Sequence, residues 1–190
     1  MTIGISSLLA DLRAEHRNMA LLLNLLEVQT DRLLACEEPD YDLLHDIMIY
    51  MTSYTDTVHH PKEDLIYAYL KTVRPGIGDW LERIEEEHRD IRTLGTDLRN
   101  DIEAIESGTM MRRDLVVADL RQYLEKLRQH MSWEERDLFT LADDLQEEEN
   151  WLTIAWRDSE ASDPLFGPEV EHRFRRLMAH IQHLASSSTT

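Results

Sequence analysis

Apolar residues recur at helical spacing along almost the whole of this 190-residue chain. Strand-like alternation and Asn-Gly turn pairs are missing from the sequence, so the pattern indicates an all-α fold. The predicted helices run from about Ser6 to Ala35, Asp40 to Arg74, Gly78 to Ser107 and Met110 to Glu148. Four helices of about thirty residues with short connections are typical of an antiparallel up-down-up-down four-helix bundle.

The sequence predicts two parts of unequal size. Residues 1–148 form the predicted bundle, with Asp40 as the N-cap of its second helix and Gly108 as the terminator of its third. Residues 149–190 form a predicted C-terminal extension. We expect a short helix from Trp151, then an irregular segment from Asp163 to Gly167, then a fifth helix from about Glu169 to Leu184.

Composition restricts the chemistry and the partners. Cys36 is the single cysteine, so a metal bound within the chain must use histidine and carboxylate ligands. With 38 acidic residues against 20 basic ones, the net charge of −18 disfavours nucleic acid and anionic membranes as partners. We expect a cytoplasmic protein that does not span a membrane, because neither a signal-like start nor an apolar run of about eighteen residues occurs.

Several polar residues lie on the apolar stripes of the predicted helices. Each of the four helices carries one such histidine, and the second and fourth helices add a glutamate one turn later. Residues four apart share a helix face, and an unpaired buried carboxylate costs several kcal/mol, so these glutamates require a cation. The candidate metal ligands are His16, His59, Glu63, His88, His130 and Glu134.

The pattern of candidate ligands is repeated. His59 lies 43 residues after His16 and His130 lies 42 after His88, so the second set is displaced from the first by 71 or 72 residues. This symmetry suits two metals related by an approximate two-fold axis, with two histidines per ion, two bridging glutamates and a bridging hydroxide or oxide. One position on each ion could then stay open. Histidine and carboxylate ligands without sulfur suit iron, with manganese or zinc as alternatives, and the ligand types alone do not select among the three.

Some neighbouring residues compete with these six. His60 and Asp64 form the same four-residue spacing one register away, but Asp56 on their face is polar, which favours His59 and Glu63. Glu134 is preferred to Glu135 as a ligand because Glu135 lies on the more polar side of the helix, with Arg136 and Asp137. Tyr54, Tyr123 and Trp133 lie near the ligands and could either donate hydrogen bonds to them or pack, and packing is the simpler role. His172, His180 and His183 of the fifth helix are predicted to be surface residues.

Pro61 lies between two candidate ligands. Inside a helix it removes the hydrogen bond to Thr57 and should kink the axis. The kink either positions His59 and Glu63 or is simple local bending, and both interpretations stay open.

Two segments resemble the HxxxE signatures of the hemerythrin-like HHE family. They are His59-His60-Pro61-Lys62-Glu63-Asp64 and His130-Met131-Ser132-Trp133-Glu134-Glu135, and the isolated histidines of the family correspond to His16 and His88, each preceded by Glu and followed by Arg. The resemblance covers about residues 8 to 145, with all four elements in order. It implies two non-haem iron ions with a bridging oxo or hydroxo group, and a role in oxygen binding or sensing, iron handling, or responses to nitric oxide and peroxide.

The sequence departs from the oxygen-carrying hemerythrins at the third helix. Those proteins place two histidines one turn apart there, whereas Ile84 and Arg92 lie one turn to either side of His88. The pattern is closer to H-HxxxE-H-HxxxE members, many of which are not oxygen carriers.

Three functional hypotheses follow from these patterns. In the first, the chain binds or senses a small ligand such as oxygen or nitric oxide, or handles iron. In the second, it is a di-iron enzyme that acts on peroxide or nitric oxide, or releases iron for iron–sulfur cluster repair. In the third, the polar core is only structural.

Overall fold

The computed structural model describes residues 2–148, 153–155 and 163–187. Two five-residue π-helical turns, Thr55–His59 and Glu134–Leu138, each join two successive α-helices. The helices are α1 (Ile5–Leu34), α2 (Tyr41–Tyr54), α3 (His60–Val73), α4 (Gly78–Glu106), α5 (Arg113–Trp133), α6 (Phe139–Glu148) and α7 (Arg175–Ser187). Short 3₁₀ turns span Pro75–Ile77 and His172–Phe174. The predicted all-α class is therefore confirmed.

The long predicted helices correspond to α1, to α2 with α3, to α4, and to α5 with α6. Main packing contacts join α2 to α4, α1 to α5, and α4 to α5. The Asp40 side chain accepts a hydrogen bond from the Leu43 N–H at 3.0 Å, which confirms it as an N-cap. Gly108 ends α4 with a φ of 92°, a conformation that glycine adopts without steric cost.

Two predictions for the extension differ from the structure. Thr153–Ala155 is strand β2, which pairs antiparallel with β1 (Thr2–Gly4), so the predicted short helix is wrong at these described residues. A pairing between residues so far apart in the chain leaves no trace in helical periodicity. Helix α7 begins at Arg175 instead of about Glu169, because the Glu171 N–H donates back to the Pro164 carbonyl at 2.8 Å.

The buried apolar residues form two clusters, and the candidate ligands lie between them. On α1, His16 separates Leu12 of one cluster from Met19 of the other. On α4, His88 separates Ile84 from Ile91 in the same way. The bundle therefore contains a polar layer with apolar core on both sides, so a charge in that layer has little access to water.

Among the described residues, no helix is both long enough and apolar enough to cross a membrane.

Gly95 permits the close packing of α4 against α2 and α5. A Cβ atom at this position would lie 3.1 Å from Thr52 Cγ2 and 3.1 Å from Tyr123 Cε2. We expect Gly95→Val to lower the free energy of unfolding by about 1–3 kcal/mol through overpacking. Urea denaturation followed by circular dichroism measures the loss. Gly78→Ala is the control, since nothing lies within 4 Å of its added Cβ, and a Gly95→Val variant as stable as wild type would contradict the packing.

Candidate metal centre

The structure brings all six predicted residues together in the polar layer. The four histidines are buried, and Glu63 and Glu134 have no exposed surface (0 % each). Helices α1, α3 and α4 contribute His16, Glu63 and His88. The two π-helical turns contribute His59 and Glu134, and His130 comes from the last turn of α5.

The potential ligand atoms fall into two groups that share one carboxylate. In the first group, atoms of His16, His59 and Glu63 lie within 4.8 Å of one another. In the second, atoms of His60, Glu63, His88 and His130 meet the same limit. Sharing of Glu63 is the arrangement expected of a carboxylate between two adjacent metal positions.

Both buried carboxylates face the two groups with different oxygens. Glu63 Oε1 lies 3.1 Å from His59 Nε2 and Oε2 lies 3.4 Å from His88 Nε2. Glu134 Oε1 lies 3.3 Å from His130 Nε2, whereas its Oε2 lies 3.6 Å from His16 Nε2. Each glutamate therefore spans the space between the groups.

The polar atoms at the centre fit a cation. Among the described residues, no donor meets hydrogen-bond geometry at either oxygen of Glu63, and His88 Nε2 and His130 Nε2 also lack a partner. Burial raises the pKa of Glu63, but the facing imidazoles, with His59 foremost, outweigh it and hold that pKa well below its usual value. Glu63 is thus an anion in the core, surrounded by nitrogen donors that converge on the same space.

Three further carboxylates hold the outer edges of the imidazole rings. Glu15 lies 2.8 Å from Nδ1 of His59, Glu135 lies 3.0 Å from Nδ1 of His16, and Glu87 lies 3.0 Å from Nδ1 of His130. Such partners fix the ring orientation and leave Nε2 directed at the centre, as metal-ligating histidines require. The hydrogen bond with His130 lowers the pKa of Glu87 to about 2.

Sequence reasoning missed the roles of Glu15, Glu87 and Tyr67, and it considered Glu135 only as a ligand. Glu15 and Glu87 each precede a candidate histidine and repeat at the same displacement, which is the signal that could have identified them. Tyr67 lies one turn after Glu63, and its hydroxyl donates to Glu134 Oε1 at 2.7 Å.

His60 was set aside in favour of His59, but the structure buries both in the layer. The His60 ring stacks on His88 with the centroids 4.0 Å apart. The reason is the π-helical turn before it, in which the His60 N–H donates to the Thr55 carbonyl five residues earlier. The wider turn shifts the helical phase, so two consecutive residues face inward. Asp64, the alternative partner, remains exposed.

The other residues considered from sequence have varied roles. Tyr54 donates to Glu15, so it contributes a hydrogen bond near the site, whereas Trp133 packs edge-to-face against Trp80. Pro61 is the second residue after the π-helical turn and lies in the first turn of α3, where its missing N–H is accommodated. His172 and His183 are exposed, as predicted, whereas His180 is partly buried and lies 3.9 Å from Asp40.

A helical bundle with a buried layer of histidines and carboxylates defines a class of metal-binding domain. Residues 7–142 match the family model of the hemerythrin HHE cation-binding domain. The chain belongs to this family. Comparisons with curated proteins and with solved structures gave no match.

His60 and His88 should titrate very differently although their rings stack. Burial lowers the pKa of His60 to about 4. His88 is also buried, but Glu134 and Glu63 outweigh that effect and raise its pKa to about 10. In the metal-free chain we therefore expect His60 to stay neutral and His88 to stay protonated between about pH 5 and 8. Imidazole ¹⁵N NMR across this range measures both, and protonation of His60 near neutral pH would contradict the burial.

Proposed function

We propose that the chain is a non-haem di-iron protein that binds or senses a small ligand, oxygen or nitric oxide, or handles iron. Residues 1–148 would form the metal-binding unit, with antiparallel up-down-up-down helices, and residues 149–190 its C-terminal extension. His16 and His59 would hold one ion, His88 and His130 the other, and Glu63 and Glu134 would bridge them. His60 would be a further ligand of the second ion, because its ring nitrogen belongs to the second group of potential ligand atoms.

The observation that carries this proposal is the pair of donor groups that share Glu63. A single structural histidine needs one hydrogen-bond partner, but here imidazole nitrogens from separate helices converge on two carboxylates with no exposed surface. A merely structural polar core would satisfy Glu63 by hydrogen bonds, but among the described residues no donor reaches either of its oxygens with hydrogen-bond geometry. Iron is favoured among metals by the nitrogen and oxygen donors together with the family.

The two positions have unequal numbers of donors, which supports ligand binding at one of them. His16, His59 and the two glutamates supply four donors at the first position. At the second position, His88, His130 and the two glutamates supply four donors, and His60 adds a fifth. The first position therefore keeps more room for an external ligand, and because the six predicted residues are at most 7 % exposed, that ligand must be small. When bound, two iron ions with an oxo or hydroxo bridge supply redox and Lewis-acid chemistry.

The protein's own side chains would orient the donors and control solvent. Glu15, Glu87 and Glu135 hold three imidazoles by their outer nitrogens. The Tyr67 hydroxyl donates a hydrogen bond to one oxygen of Glu134, which limits the rotation of that carboxylate. The apolar clusters on either side of the layer exclude water from the donors.

Metal content tests the proposal. We expect wild-type protein purified without added iron to carry about two iron ions per chain. Glu63→Ala should lose both ions, because its oxygens face both groups, whereas His60→Ala should lose mainly the five-donor ion. Elemental analysis measures the stoichiometry, and circular dichroism checks the fold. The control is Glu86→Ala, an exposed glutamate of α4.

Fewer than about one iron per wild-type chain would contradict the di-iron function. Loss of only one ion in Glu63→Ala would refute its bridging role.

The response of the reduced protein to small molecules distinguishes a binding protein from an enzyme. If the site binds or senses a ligand, spectra recorded on exposure to oxygen or nitric oxide should reveal a stable adduct that is reversed when the gas is removed. Repeated turnover of peroxide or nitric oxide would instead identify a di-iron enzyme. Because the four-donor position is the more open one, His16→Ala should change these spectra more than His60→Ala does.

A further inference from the structure

The described residues 163–187 of the C-terminal extension pack against the bundle close to one side of the polar layer. Leu165, Phe174 and Leu177 are at most 2 % exposed and belong to the same apolar cluster as residues of α2. The Arg176 guanidinium also pairs with Asp40, the N-cap of α2, at 2.6 Å. The extension is therefore fixed to α2 by both apolar and charged contacts.

Asp163 connects the extension to a tyrosine of α2. Its Oδ2 accepts a hydrogen bond from the Tyr50 hydroxyl at 2.9 Å, while its Oδ1 accepts from the Leu165 and Phe166 N–H groups. Tyr50 is also enclosed edge-to-face by Phe166 and Phe174, with centroids 5.9 and 5.8 Å away. The extension thus determines where the Tyr50 ring lies.

Tyr50 in turn positions Tyr54, whose hydroxyl reaches the candidate metal centre. The two rings are stacked one helical turn apart, with centroids separated by 5.2 Å. The Tyr54 hydroxyl donates to Glu15 Oε1 at 3.1 Å, and Glu15 Oε2 holds Nδ1 of His59 at 2.8 Å. Lys62 also donates to Glu15. A continuous series of contacts runs from the extension to a candidate metal ligand.

We propose that the C-terminal extension is a positioning element for the four-donor metal position, acting through Tyr50, Tyr54 and Glu15 on His59. This inference rests on the proposed di-iron function and adds a role for residues outside the bundle. By holding Tyr54 against Glu15, the extension fixes the carboxylate that orients His59, and so strengthens metal binding at that position.

The five-donor position has no equivalent connection among the described residues. There, Nδ1 of His130 is held by Glu87, and Glu87 is held by Arg83 of the same helix at 2.7 Å. Residues of α4 and α5 therefore suffice to orient His130. Detachment of the extension should consequently weaken metal binding at the four-donor position and leave binding at the five-donor position unchanged.

Cobalt(II) binding, measured by chelator competition and by its visible absorption, tests the inference on the full chain. Tyr54→Phe keeps the ring and removes the donor, so we expect about fivefold weaker binding of one of two ions. Asp163→Asn keeps Oδ1, which accepts from the Leu165 and Phe166 N–H groups, but replaces Oδ2 with an amide NH₂ that cannot accept from the Tyr50 hydroxyl. It should weaken binding of the same ion. Glu15→Gln should weaken that ion about 10- to 100-fold. Tyr41→Phe, a partly buried tyrosine of α2, is the matched control and should change neither ion.

Two backgrounds identify which ion is affected. In His60→Ala, which retains the four-donor position, the effect of Tyr54→Phe should persist, and in His16→Ala it should disappear. Equal weakening of both ions, no weakening, or an effect of Tyr54→Phe without one of Asp163→Asn would overturn the inference. Wild-type protein that binds no cobalt(II) or iron would instead overturn the proposed function, and the inference with it.

Discussion

Burial of two carboxylates in the middle of a helical bundle is the constraint on which the rest of the structure depends. Glu63 and Glu134 have no exposed surface, and the apolar clusters on both sides of their layer cannot solvate a charge. Their charge must be balanced within the layer, which explains why every long helical segment places a histidine at this level. The same convergence of carboxylates and imidazoles makes the layer suited to binding cations.

Charge alternates outward from the centre. The inner glutamates face the Nε2 atoms of the histidines, and Glu15, Glu87 and Glu135 hold the opposite ring nitrogens. Glu15 and Glu87 each directly precede a histidine of their own helix and reach across to a histidine of another helical segment. These hydrogen bonds join each ring to a different helix. The orientation of the rings therefore depends on how the helices pack and not on single side-chain preferences.

Helical periodicity predicts much of this arrangement, because ligands and core residues share one stripe on each helix. His16, Glu63, His88 and Glu134 could be located that way, and the structure places them together in one layer. Periodicity fails at the π-helical turns, where the phase of the helix shifts within a few residues. A constant period forces a choice between His59 and His60, whereas the wider turn after Tyr54 buries both. The contacts of Asp163 with Tyr50 are equally invisible, since they join residues 113 apart.

The repeat of histidines and glutamates in the layer has no counterpart for His60, and this makes the two halves of the layer unequal. A displacement of 71 residues relates His59 to His130 and Glu63 to Glu134, but it relates His60 to Met131, whose thioether is at most a weak acceptor. The imidazole nitrogens are therefore divided three to two. The half with fewer donors, which contains His59, is also the half that Tyr54 links to the C-terminal extension through Glu15. A position with fewer donors would gain more from each constraint on those donors, so the proposed effect of the extension, transmitted through Tyr50, Tyr54 and Glu15, falls where orientation would matter most.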